Sequence, residues 1–152
     1  MHLVYDFVAR QKVSNVHLNF FIVEQLPTLP PDLYDKHCPW SPKVKLEKWI
    51  SERVLKLTCT AEDMLPLAEA CDFKSGSFKK EYGGRLNKWD ETERLQLMAE
   101  LDAAYFHLYG INRDDALYIL TTFPYTQEPN SLLPGRQSIA QQILHHFDDF
   151  DS

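Results

Sequence analysis

The stretch KWDETERLQLMAELDAAYFHLYGINRDDALYILTTFP, residues 88–124, decides the fold of this chain. Asp90 and Glu93 have the spacing of a capping box at the start of a helix. Gly110 suits the left-handed position that ends a helix, and Asn112 suits the cap of the next one. Because a proline closes the stretch, the sequence predicts a long helix, a short turn and a second helix.

Apolar residues recur along this stretch with the 3.6-residue period of a helix. The predicted buried face of the long helix is Leu97, Met98, Leu101, Ala104, Tyr105 and Leu108, and that of the second helix is Ala116, Leu117, Ile119 and Leu120. Asp102 lies at the margin of this face. It suits a buried carboxylate that accepts a hydrogen bond from a neighbouring helix end or from an arginine such as Arg113. A catalytic role is the less favoured alternative, because no partner base is apparent.

The rest of the chain is predicted to pack against this helical hairpin. His2–Val8 and Leu18–Val23 are rich in β-forming residues and are predicted to be strands. The prolines that follow the second of these predict a boundary there. Further helices are predicted at Val44–Leu57, Leu65–Cys71 and Gln137–Phe147. The expected fold is therefore mainly α (α+β), a helical bundle built around a long helix and a helical hairpin. It would comprise a β-containing segment at residues 1–30 and a helical domain at residues 31–152.

Composition narrows the class of protein. With 152 residues, 44% hydrophobic, the chain is long enough to bury a substantial core. It contains no apolar run of membrane-spanning length and no signal-peptide pattern at its start. The three cysteines show no metal-ligand spacing. A reduced, cytoplasmic setting without a membrane partner is therefore predicted.

Charge is unevenly distributed along the chain. Residues 1–56 hold eight Lys and Arg against six Asp and Glu, a net charge of +2. Because the whole chain has a net charge of −6, the remaining residues carry −8. Such an imbalance is compatible with one surface that faces an anionic partner, but ordinary solvated surface is the favoured explanation for so small a difference. The candidates for contact with DNA phosphates are Arg10, Lys12, Lys36, Lys43, Lys45 and Lys48.

Motifs that carry chemistry are missing from the sequence. No glycine-rich phosphate loop occurs, and no serine or cysteine stands in a nucleophile motif. His145 and His146 with Asp148 and Asp149 are the nearest approach to a metal site, but adjacent residues on a helix point in different directions. We therefore expect no bound metal, no cofactor and no catalytic residue in this chain, and an independent small enzyme is the least favoured class.

Three passages carry a resemblance to a known family: NFFIVEQLPTLPP, KWISERVLKLTCTAEDMLPLAE and WDETERLQLMAELDAAYFHLYGINRDDALYILTTFP. Together they are similar to the C-terminal region of large bacterial adenine-N6 DNA methyltransferases. Those enzymes belong to restriction–modification and phage-defence systems, and some are fused to an endonuclease. The resemblance covers roughly residues 18–147 and implies a helical region that supports target recognition.

The same resemblance limits the expected function. The family uses S-adenosylmethionine, a glycine-rich cofactor motif and an (N/D)PP(Y/F) catalytic motif, and LPPDLY and TFPYT here lack the required Asn or Asp. The leading hypothesis is a non-catalytic C-terminal fragment that positions DNA or braces the methyltransferase core or another defence-system subunit. The strand predicted to begin at the second residue also favours a fragment. The alternative is a stand-alone helical protein-interaction module without DNA binding.

Overall fold

Helices dominate the computed structural model, which describes residues 2–13, 19–75 and 82–152. The α-helices are α1 (Leu3–Lys12), α2 (Phe20–Val23), α3 (Leu46–Thr58), α4 (Leu65–Ala70), α5 (Glu91–Leu108), α6 (Arg113–Thr121) and α7 (Ile139–Phe150). Two short strands, β1 (His37–Cys38) and β2 (Ser41–Lys45), pair as an antiparallel hairpin. The predicted mainly α class is thereby confirmed. Within the described ranges, no helix has both the length and the apolar character needed to cross a membrane.

The chain divides into two compact units. Unit 1 combines residues 1–31 with residues 98–152, and unit 2 comprises residues 32–97. One boundary between the units therefore lies between Pro31 and Asp32.

Unit 1 has a core of small and large apolar side chains from four helices. Ala99 and Ala103 lie one turn apart on α5, where their small side chains permit close approach of neighbouring helices, and Phe106 on the next turn is fully buried. The buried cluster comprises Leu3, Val4, Ala99, Ala103, Phe106, Ala116, Ile119, Leu120, Phe123, Ala140, Ile143 and Phe147.

The turn between α5 and α6 is closed as the sequence predicts. Gly110 adopts a φ of 67°, and its N–H donates to the carbonyl of His107 at 2.9 Å. The N–H of Ile111 donates to the carbonyl of Phe106 at 3.0 Å, which completes a Schellman motif. Asn112 Oδ1 then accepts from the N–H of Asp115 at 2.9 Å and caps α6.

In unit 2, the hairpin of β1 and β2 leads directly into α3. The N–H of Leu46 donates to the carbonyl of Lys36, and the N–H of Glu47 donates to that of Tyr34, both at 2.9 Å. These bonds satisfy N–H groups that the first turn of a helix leaves without intrahelical partners. A small core of Leu55, Cys59, Ala68 and Phe73 joins the end of α3 to α4. At the start of α5, Asp90 Oδ1 accepts from the N–H of Glu93 at 2.9 Å, as the predicted cap requires.

The predicted strand at His2–Val8 is wrong, because residues 3–12 form α1. Leu3 and Val4 are buried in the unit 1 core, and Phe7 packs against it, which is the spacing of one helix face. His2 Nδ1 caps the helix by accepting from the N–H of Tyr5 at 3.3 Å. Tertiary packing has overridden the β propensity of these residues.

The predicted buried strand at Leu18–Val23 is also wrong over its described residues 20–23. Phe20–Val23 form one turn of helix, and Phe20 is 87% exposed. Leu18 lies outside the described residues. Among the described residues, β-structure in named strands is confined to residues 37–45 and is not found in the expected segment 1–30.

Two residues of the predicted buried faces are exposed. On α5, Leu97 and Ala104 are buried as expected, but Met98 is 50% exposed and Ala99 takes the buried place beside it. Leu117 on α6 is likewise exposed. The apolar period predicts the helices, whereas the exact direction of each buried face depends on partners far away in the sequence.

Candidate nucleic-acid interface

The six candidate DNA-contact residues fall in two places. Arg10 and Lys12 lie in the last turn of α1, in unit 1. The other four, Lys36, Lys43, Lys45 and Lys48, belong to unit 2.

Arg10 is already neutralised within α1. Its Nε donates to Asp6 Oδ1 at 3.1 Å and its Nη2 to Asp6 Oδ2 at 3.0 Å, while its guanidinium carbon lies 4.9 Å from the centre of the Phe123 ring. The hydrogen bonds to the Asp6 carboxylate raise the pKa of Arg10 further above its usual range. Arg10 is thus a weaker candidate for phosphate contact than its charge suggests, and Lys12 stands exposed beside it.

The four lysines of unit 2 are brought together by the hairpin and the start of α3. Lys36 directly precedes β1, and its carbonyl accepts from the first residue of α3. Lys43 and Lys45 lie two positions apart on β2 and so point to the same face of the hairpin. Lys48 lies in the first turn of α3. All four are exposed, and we call them the lysine patch.

Acidic neighbours hold the lysine patch only loosely. Lys45 Nζ lies 3.8 Å from Asp35 Oδ1, and Lys48 Nζ lies 4.0 Å from Glu52 Oε1. All four of these side chains are at least half exposed. Exposed ion pairs of this kind contribute about 0–1 kcal/mol. A phosphate group could therefore replace either carboxylate at little cost.

Asp102 takes the first of the two structural roles expected for it. Its Oδ1 accepts from the N–H of Leu3, the first residue of α1, at 2.7 Å. Burial raises the pKa of Asp102 to about 6. Arg113, the other expected partner, instead binds Asp148 through its Nε at 2.7 Å and its Nη2 at 3.1 Å, and these bonds lower the pKa of Asp148. Asp102 is thus a support for the N-terminus of α1.

His2 completes the surroundings of that helix end, and sequence reasoning did not single it out. Its ring stacks on that of Tyr105, with centroids 3.8 Å apart and planes 6° apart. Burial lowers the pKa of His2 to about 4, so the imidazole is neutral at pH 7. No local signal in the sequence pairs a residue at position 2 with the middle of α5.

The histidines near the C-terminus contact different residues. His145 Nε2 lies 3.6 Å from Asp149 Oδ2, and His146 Nε2 lies 3.1 Å from Gln142 Nε2. Among the described residues, no group of three or more His, Cys, Asp or Glu side chains is placed to hold a metal ion.

Comparison with protein-family models, with curated proteins and with solved structures finds no match to this chain.

Proposed function

We propose that this chain is a non-catalytic, helical part of a cytoplasmic adenine-N6 DNA methyltransferase of a restriction–modification or phage-defence system. In this proposal the lysine patch holds DNA by its phosphates and the helices brace the methyltransferase core or another subunit. The larger enzyme would supply S-adenosylmethionine binding and the transfer step. The observation that carries the DNA role is the placement of Lys36, Lys43, Lys45 and Lys48 along the hairpin and the first turn of α3, which are joined by the bond from Leu46 N–H to the Lys36 carbonyl.

Contacts of this kind supply affinity without sequence preference. Each lysine that neutralises a phosphate releases condensed counterions, so the logarithm of the binding constant falls with the logarithm of salt concentration at about 0.9 per contact. Four contacts predict a loss of roughly 100-fold in affinity between about 50 and 200 mM salt. The overall charge of −6 opposes binding elsewhere on the surface and keeps the expected affinity weak.

The test is binding to a labelled DNA duplex, measured by fluorescence anisotropy over a series of salt concentrations. The triple variant Lys43→Glu, Lys45→Glu, Lys48→Glu should bind more weakly and show a smaller salt slope, because three phosphate contacts are lost. The matched control is Lys74→Glu, Lys88→Glu, Arg136→Glu, which makes the same change in net charge at exposed positions outside the patch. The control should retain most of the parent affinity and its salt slope.

An affinity that stays constant as salt rises would refute the DNA role. Equal losses in the two triple variants would also refute it, because net charge rather than the lysine patch would then govern binding.

One observation favours the alternative, a stand-alone helical interaction module. Phe20 and Phe21 on α2 are 87% and 59% exposed. Adjacent exposed phenylalanines are typical of a surface that contacts another protein. If the chain is such an interaction module, the parent should not bind duplex DNA even at low salt. The double variant Phe20→Ser, Phe21→Ser should then abolish binding to a protein partner.

A further inference from the structure

Trp89 in unit 2 combines wide exposure with a fixed position. The side chain is 54% exposed, whereas Trp49 in the same unit is buried. The guanidinium carbon of Arg94 lies 3.8 Å from the centre of the Trp89 ring and covers one face. The exposed area therefore belongs to the opposite face and the edges of the indole.

The ring and its backing are both anchored. Trp89 Nε1 donates to Glu91 Oε1 at 2.7 Å, and Arg94 Nη1 donates to the carbonyl of Leu57 at 2.7 Å. The N–H of Asn87, just before Trp89, donates to the carbonyl of Cys59 at 2.7 Å. A side chain fixed in this way loses little conformational entropy when a ligand covers it.

We propose that the open face of Trp89 stacks on an unpaired nucleobase of DNA whose phosphates are held by the lysine patch. This inference rests on the proposed function and adds single-stranded or locally opened DNA as the preferred ligand. Aromatic side chains beside a basic track are how proteins bind single strands without sequence preference, since every base has a π-face. The Arg94 guanidinium covers the other face of the indole, and the Glu91 carboxylate that binds Nε1 balances its charge.

The length of α3 sets the spacing between the two contacts. The lysine patch lies at the N-terminal end of α3, whereas Arg94 and Asn87 bond to the carbonyls of Leu57 and Lys56 at its C-terminal end. With 13 residues, α3 is about 20 Å long. A strand that keeps the stacked duplex rise of about 3.4 Å per nucleotide covers this distance in about six nucleotides, and a more extended strand covers it in fewer. Single-strand sites of about 4–16 nucleotides are common.

The experiment compares three probes in anisotropy titrations: a deoxyadenylate single strand of about twelve nucleotides, a strand of the same length with abasic sugars, and a duplex. The abasic strand keeps the phosphates but has no bases to stack. The parent protein should bind the deoxyadenylate strand more tightly than the abasic one, and binding should quench tryptophan fluorescence. Trp89→Ala should weaken binding to the deoxyadenylate strand by about 5- to 150-fold and leave the abasic strand unaffected. Trp89→Phe should restore part of the loss.

Tyr118→Ala is the matched control, since Tyr118 is 63% exposed but lies in unit 1, and it should bind all three probes like the parent. Equal affinity of the parent for the deoxyadenylate and abasic strands overturns the inference without need of a variant. A Trp89→Ala protein that binds the deoxyadenylate strand normally also overturns the inference. If that variant instead loses self-association in sedimentation experiments, the exposed ring contacts a second copy of the chain and not DNA. If the lysine variants lose binding to the deoxyadenylate strand and Trp89→Ala does not, the proposed function stands and the stacking site fails. If no probe binds in a salt-dependent way, both fail.

Discussion

Replacing Asp102 by asparagine is expected to stabilise unit 1 at neutral pH and to leave its stability in acid nearly unchanged. The carboxylate is partly buried beneath the first N–H group of α1, at 2.7 Å. Asparagine has the same shape and keeps an oxygen that can accept from Leu3, but it carries no charge. The substitution therefore removes the cost of burying an ionised group while it keeps the hydrogen bond.

The direction of the effect follows from the pKa values of Asp102 in the two states. In the folded protein the pKa is about 6, against 3.8 for the free side chain, so the folded state retains a proton that the unfolded state has released. The stabilising contribution is complete below about pH 3.8 and is lost as the pH rises through about 6. The difference of about two pKa units corresponds to an upper limit of about 3 kcal/mol. Residual contact with solvent lowers this limit, and we expect about 1–2 kcal/mol above pH 7.

The assay is urea denaturation of the parent and of Asp102→Asn at several pH values from 4 to 8, followed by far-UV circular dichroism. His2 titrates in the opposite sense, because burial lowers its pKa to about 4 and its contribution is lost as the pH falls through that value. It does so in both proteins, so the difference between their free energies of unfolding isolates Asp102. All three tryptophans belong to unit 2, and their fluorescence provides a second probe of that unit.

Glu128→Gln serves as the control, since it removes an exposed carboxylate from the same unit and should leave the pH profile unchanged. A difference between Asp102→Asn and the parent that stays constant from pH 4 to 8 would refute the reasoning. An Asp102→Asn variant that loses stability relative to the parent as the pH rises would refute it as well.

Two further substitutions test the packing of unit 1. Phe106→Ala should lower the free energy of unfolding by about 3–5 kcal/mol, because Phe106 is fully buried. Met98→Ala, at a half-exposed position of the same helix, should lower it by less than about 1 kcal/mol. Equal losses in the two variants would contradict the observed direction of the buried face of α5. Ser138→Ala should cost about 1 kcal/mol by removing the cap of α7, and Ser138→Asp should recover most of it; a cost that Ser138→Asp does not recover would show that the cap bond is unimportant. Both are measured by urea denaturation.

Local chemistry explains which helices could be predicted. The caps of α5 and α6 and the glycine between them are short-range signals, and they identified both helices. Ser138 and Gln141 form a capping box at the start of α7, with bonds of 3.2 and 2.9 Å, and their spacing in the sequence is a further short-range signal of this kind.

The error at α1 has a physical origin. Leu3, Val4 and Phe7 fit the spacing of a helix face, and Asp6 with Arg10 fits an ion pair four residues apart, yet the β-forming residues suggested a strand. Only the partners in α5, α6 and α7 decide between the two, and they lie about a hundred residues further along the chain.

The sequence was sufficient to name basic residues of the candidate interface, but not to predict where the fold places them. The basic residues could be named from the sequence, whereas the pairing of Arg10 with Asp6 requires the helix α1, where the sequence predicted a strand. The convergence of Lys36 with Lys48 depends on the hairpin at residues 37–45, which was not predicted. Trp89 lies beside Asp90, a recognised cap, but its exposure and its stacking on Arg94 are set by the fold of unit 2.

The bond between Leu3 and Asp102 joins residues 99 positions apart, and this separation affects how the chain is made. Ribosomes add about 5–20 residues per second, so α1 leaves the ribosome about 5–20 s before its carboxylate partner has been synthesised. During that interval the apolar side chains of Leu3, Val4 and Phe7 have no core to enter. The nascent segment is therefore a natural binding site for chaperones that protect unfinished chains, and slower translation between α1 and α5 would prolong its exposure to aggregation.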